Sequence, residues 1–207
     1  MQRHAIILAG LMLLGTGAAF AQQKKATVDP AVVDKVIEKS WATAEPDWKA
    51  RLTQDETQKA CSVYRNRPPK EVWDAILARE QASMVYPADG KLMGDWKNGE
   101  KLAESGYGGR FTDYPARQPN GGNCYACHQL AKAQVSYGTL GPSLLEYGKI
   151  RKFAEADIKA VYERIYNPHA AIACANMPRL GASKFLTIDQ IRDLVAYVMS
   201  PDSPVNK

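Results

Sequence analysis

An all-α architecture is what this sequence predicts, and two observations carry the prediction. Apolar residues recur at the three- and four-residue spacing of one helix face, and no run alternates apolar with polar for long enough to make a strand. Prolines and capping residues punctuate the periodic stretches, so each helix has a start or a stop written beside it. The chain has 207 residues, 45% hydrophobic and 24% charged, which suits a globular core and argues against a low-complexity disordered chain or a membrane-embedded bundle. Its formal charge of +5 is small and scattered, which gives no sign of nucleic-acid binding, though mild basicity would steer an acidic protein partner.

The first segment reads as an address. Arg3 precedes an apolar run from Ala5 to Gly15, and Ala19-Phe20-Ala21 offers small residues at a peptidase site, the layout of a secretory signal peptide cleaved after Ala21. A retained membrane anchor would need a longer apolar run. The expected organisation is a signal peptide at 1–21, a helical N-terminal extension at 22–91 and a second domain at 92–207, with the mature protein exported to the periplasm and not in the membrane. Export places its cysteines where disulfides persist.

The helices follow in order. Over 29–40, Val32, Val33, Val36 and Ile37 share one face and Pro30 suits the first turn. Residues 53–60 and 70–86 read as two more, the second with Val72, Trp73, Ile76 and Leu77 together. Pro68-Pro69 separates them, and Pro87 stops the latter. A short helix is expected over 92–106, then a Gly-, Pro- and Asn-rich loop to Gly122. Ile158, Val161, Tyr162 and Ile165 mark a helix over 155–166. The last, 188–199, opens on the capping box Thr187-x-x-Gln190 and ends before Pro201.

One string carries chemistry. Cys124-Tyr125-Ala126-Cys127-His128 is Cys-x-x-Cys-His, the attachment signature of a c-type haem. The spacing lets Cys124 and Cys127 each form a thioether to a haem vinyl group while His128 becomes the proximal iron ligand. A disulfide-exchange site would call for alternating strands and helices, and a zinc site for four ligands. A plain structural disulfide would leave His128 unexplained. For the other axial position the candidates are Met84, Met93, Met177, Met199 and His169. Met199 belongs to an apolar helix and reads as core, whereas Met177 lies in the loop Ala175-Asn176-Met177-Pro178-Arg179-Leu180-Gly181, stiffened by Pro178. Met177 is therefore the expected second ligand, with His169 the runner-up in an Asn-Pro-His turn expected to face solvent. The alternative for Met177 is a gap-filling core side chain.

Three further strings resemble class I cytochromes c: Gly94–Leu102 their N-terminal helix, Leu140-Gly141-Pro142-Ser143-Leu144 the loop behind the proximal histidine, and Ile191–Tyr197 their C-terminal helix. That resemblance implies a class I cytochrome c fold with one covalently attached haem c. It also implies that the Pro142 carbonyl accepts the His128 ring N–H, and leaves Arg179 as either a haem-propionate partner or a solvated surface charge. Ala60–Pro69, Asn120–His128 and Asn176–Arg179 resemble the SoxX family, the smaller cytochrome subunits of SoxAX complexes in bacterial thiosulfate oxidation. By that resemblance the chain is an electron-transfer subunit of an L-cysteine S-thiosulfotransferase and has no catalytic residue of its own. A SoxA-like partner in a heterodimer carries the catalytic cysteine and joins thiosulfate to a cysteine of a SoxYZ-like carrier protein, releasing two electrons. This chain passes them to a downstream acceptor cytochrome c. A free-standing soluble carrier is the alternative; a gas sensor would call for an output domain that the sequence lacks.

Cys61 and Cys174 remain once the haem takes its pair, and in an oxidising compartment they allow one intrachain disulfide or stay as free thiols. A bond would tie the extension to the loop that presents Met177, and closing so long a loop contributes about 4 to 5 kcal/mol in the chain-entropy picture.

Overall fold

Side-chain caps open half of the α-helices in the computed structural model, which describes residues 27–207. The expected signal peptide at 1–21 lies outside the described residues. Among the described residues there are eight α-helices, four short 3-10 turns and no strand. Helix α1 (Pro30–Ser40) starts at Asp29, whose carboxylate accepts the Ala31 N–H. Helix α2 (Pro46–Leu52) opens on a proline, and α3 (Glu56–Val63) on the reciprocal box of Asp55 and Gln58. Helices α4 (Lys70–Ala82), α5 (Trp96–Glu104), α6 (Tyr147–Ile150), α7 (Glu155–Tyr166) and α8 (Ile188–Met199) complete the set.

Helices α7 and α8 fall on their expected bounds, and the Thr187–Gln190 box forms. Others shift for reasons that can be read off their ends. The expected 53–60 helix moves to Glu56–Val63 because Asp55, not an earlier residue, is the cap. Helix α4 stops four residues before the expected end: the Ser83 hydroxyl donates to the Glu80 carbonyl, and Val85 turns away to accept the Tyr162 phenol at 2.7 Å. Residues 92–95 leave the expected 92–106 helix because Gly94 N–H donates to the Arg192 carbonyl and Asp95 N–H to the Asp193 carboxylate, laying the strand-like lead-in against α8. Helices α2 and α6 have too few apolar positions to show a period.

The main core forms where α5, α7 and α8 meet. Tyr162, Ile165 and Tyr166 pack with Ile191, Leu194, Val195, Val198 and Met199. The α5–α8 crossing is close because Gly99 lies on the Asp193 carbonyl, where a Cβ would overlap it. Asn206 secures the C-terminus by donating to the Val198 and Ser200 carbonyls.

The extension is not a separate globule. Its α4 residue Ile76 and α3 residue Cys61 form a second small core with Ala173 and Cys174, flanked by Val72, Trp73 and Leu77. Helix α2 grips elsewhere: Arg51 donates to the Gly108 carbonyl at 3.0 Å and stacks between Trp48 and Phe185. The apolar stripe of α1 is different, since Val32 and Val36 are 53% and 57% exposed.

Candidate haem site

The Cys-x-x-Cys-His segment folds as a tight turn. Asn123 takes the left-handed conformation (φ 51°), and Cys124–Ala126 form one 3-10 turn. The N–H groups of Cys127 and His128 both donate to the Cys124 carbonyl, at 3.1 and 2.9 Å. Residues 138–144 then wrap this turn: Gly138 N–H donates to Tyr125, Gly141 N–H to Cys127 and Leu144 N–H to Gln129, each at 2.8 Å. The wrap brings the Pro142 carbonyl 2.7 Å from His128 Nδ1. A carbonyl oxygen only accepts, so Nδ1 carries the proton and the Nε2 lone pair is left for a ligand. Gly141 lies flat on the imidazole, where any Cβ would run into the ring.

The Cys124 and Cys127 sulfurs are not joined to each other. Burial pushes the Cys124 thiol up to about 12, which disfavours the thiolate that disulfide exchange requires. Among the described residues no group of three or more His, Cys, Asp or Glu side chains is placed to hold a metal ion, as a zinc site would need. These features fit haem c: two separate sulfurs on one turn, a histidine with its tautomer set and one nitrogen available, and a side-chain-free glycine behind the ring.

Met177 is partly buried and packs against the main core, as do Met84, Met93, Cys124 and Tyr125; Met199 is wholly inside it. The Met177 loop is tied down by residues far away in sequence. Cys174 is bonded to Cys61, with Cα atoms 5.4 Å apart. Asn66 Nδ2 donates to Asn176 Oδ1 at 3.3 Å. Arg179 is 14% exposed and is not a solvated surface charge: its guanidinium pairs with Asp55 at 2.5 Å and with Glu80 at 3.4 Å. Glu80, 5% exposed, also accepts from Asn167 Nδ2 at 2.7 Å and from the Thr57 hydroxyl. Burial pushes the Glu80 carboxyl up, yet the Thr57 and Asn167 hydrogen bonds and the Arg179 charge outweigh it and hold the group below the usual carboxylate range.

His169 corrects another expectation. It is 7% exposed rather than solvated, in the 3-10 turn Pro168–Ala170 that sits on α4. Its Nε2 donates to the Ala175 carbonyl at 2.9 Å, and Nδ1 is buried without a partner. Burial lowers its basicity. Its ring is thus committed to shaping the segment that leads to Met177. The residues missed from sequence are Glu80, Asn167, Thr57 and Asp55. Glu80 did leave a signal: it continues the apolar stripe of Trp73, Ile76 and Leu77 on α4, where a charge needs a buried partner.

Residues 96–201 match the Cytochrome c family. The chain belongs to the cytochrome c family. It is also 37% identical over 202 residues to a protein of Aquifex aeolicus (strain VF5) described as an uncharacterized lipoprotein, covering 96% of this chain and 94% of the relative. The similarity therefore runs through the extension as well as the cytochrome domain. Family membership carries covalently bound haem c and an all-helical class I architecture. No helix among the described residues is long and apolar enough to cross a membrane.

Proposed function

We propose that this cytochrome is a periplasmic mono-haem electron-transfer subunit of the SoxX kind. In that role it accepts the electrons released when a SoxA-like partner conjugates thiosulfate to a cysteine of a SoxYZ-like carrier, and it delivers them to a downstream cytochrome. The observation that carries the electron-transfer reading is the His128–Pro142 hydrogen bond behind the Cys-x-x-Cys-His turn, which leaves one nitrogen for iron and removes the proton from contention. Haem c supplies a one-electron iron couple. Cys124 and Cys127 would tether it, His128 Nε2 and the Met177 sulfur would bind its iron, and the core of α5, α7 and α8 would keep water from it. No residue of this chain serves as a nucleophile.

Support for the Sox assignment comes from three strings, Ala60–Pro69, Asn120–His128 and Asn176–Arg179, of which the first and last meet through the Asn66–Asn176 hydrogen bond, beside the Cys61–Cys174 disulfide. Membership of the cytochrome c family and a relative described as a lipoprotein agree with export. The test is gentle purification of the tagged protein from the periplasm of its own host grown on thiosulfate. A stoichiometric second cytochrome is the expected companion; a lone monomer that still takes up electrons makes the protein a free-standing carrier. Met177→Ala should lower the reduction potential by on the order of 0.1 V, within the ~0.8 V range that axial ligands command, with haem still attached. An unchanged potential by spectroelectrochemistry would move the second ligand elsewhere.

A further inference from the structure

The segment around Met177 has no regular structure of its own to hold it. Between Ala171 and Thr187 there is no α-helix, and a loop of that length would sample many positions for its methionine. His169 donates to the Ala175 carbonyl, and the Tyr166 carbonyl accepts from Gly181 and Ala182; the remaining restraints come from the extension. Asn167, just before the segment, donates to Glu80 and, at 3.2 Å, to the Ser83 hydroxyl. Gln81 Nε2 donates to the Ala170 carbonyl at 3.0 Å. Cys174 is bonded to Cys61, Asn176 is held by Asn66, and Arg179 closes the segment on Glu80 and Asp55. Glu80 touches both ends, since its Oε2 accepts from Asn167 and from Arg179.

We propose that the extension is a clamp for the axial methionine: Glu80 and the Cys61–Cys174 disulfide are positioning elements that hold the 167–179 segment so that Met177 stays on the iron. The inference rests on the reading of Met177 as a ligand. A neutral thioether is a weak iron donor, and an unrestrained loop gains entropy by letting it go. Fixing the loop on both sides of the sulfur removes that gain before the bond forms. A buried carboxylate shared by an arginine and an amide suits the task, because its loss would leave the buried Asn167 and Thr57 without their acceptor and take one partner from the mostly buried Arg179. Arg179 is then the outer half of the same fastening.

Four haem-loaded full-length proteins test it: wild type, Met177→Ala, Cys61→Ser/Cys174→Ser and Glu80→Gln. The readouts are the near-infrared methionine-to-ferric-iron band, imidazole titration of the ferric protein, and far-ultraviolet circular dichroism to establish folding. The wild type should show the band and Met177→Ala should lack it. Both clamp variants should remain helical and keep covalent haem, yet lose band intensity and bind imidazole at least about tenfold more tightly, since the methionine no longer competes as well. If the disulfide variant fails to fold, Glu80→Gln, which preserves side-chain volume, decides the matter alone. Wild-type band strength and imidazole affinity in a folded clamp variant would overturn the clamp. Absence of the band from the wild type itself, with Met177→Ala indistinguishable from it, would instead overturn Met177 as the ligand and the clamp with it.

Discussion

The His128 region and the Met177 region are built by opposite means. Around His128 the chain folds on itself: His128 and Pro142 are 14 residues apart, and the hydrogen bonds of the wrap run between neighbouring backbone groups. Around Met177 the decisive partners are remote, with Asn167 and Glu80 separated by 87 residues and Arg179 and Asp55 by 124. The first region relies on glycines and backbone bonds, the second on a disulfide and a buried polar node. A locally built site tolerates change elsewhere in the protein, whereas one assembled from remote pieces depends on the whole fold being in place.

The comparison can be broken most decisively at the haem tether. Cys124→Ala/Cys127→Ala should lose nearly all haem retained on a denaturing gel, because no covalent attachment survives, while the Cys61–Cys174 bond still forms; retained haem would remove the chemical basis of the local site. On the remote side, Glu80→Ala should lower stability by about 1–3 kcal/mol by taking a shared acceptor from Thr57, Asn167 and the mostly buried Arg179. Asp55→Ala, at a side chain 48% exposed, should cost less than about 1 kcal/mol. Urea unfolding of both variants measures the contrast, and equal losses would mean that burial is not what makes Glu80 important.

Further effects sharpen the contrast. Gly141→Ala should cost about 1–3 kcal/mol because its Cβ meets the His128 ring. Its signature should be confined to the His128 side: weakened haem ligation with the disulfide intact, checked by imidazole binding and non-reducing mass spectrometry. The gentlest perturbation is pH. Burial lowers the His169 pKa, so below the ordinary histidine value near 6.5 the unfolded chain takes up a proton that the folded chain refuses, and stability falls as pH drops toward the folded value. Asp55, Glu80 and Arg179 are the charged groups around it. Hydrogen bonds and the Arg179 charge outweigh burial and hold both carboxyls low, so they stay ionised in that window. Their contribution is present above the ordinary carboxylate range and is lost when pH falls through their lowered values. His169→Gln should flatten the slope of urea midpoint against pH between about 5 and 7; an unchanged slope would assign it to another group.

Helices α7 and α8 were legible to the residue because their apolar periods, and for α8 its capping box, are encoded within a dozen positions. The end of α4 was not, since it is set by a hydroxyl on its last turn and by the Tyr162 phenol 77 residues away. The Val32 and Val36 face of α1 shows the converse error, a clear period that the fold leaves mostly uncovered. The burial of His169 and of Arg179 was hidden for a shared reason. A turn sequence and a lone arginine look solvated until the extension is laid over them.

The sequence by itself determined the helical class, the cysteine–histidine turn and its chemistry, and the pair of cysteines left to bond, because each follows from residue type and spacing along a short stretch. Only the tertiary structure decided that Glu80 joins both ends of the Met177 segment, that Arg179 faces inward and that His169 is buried. Those outcomes depend on which groups lose water when distant segments come together, and a buried charge selects its partner by proximity in space.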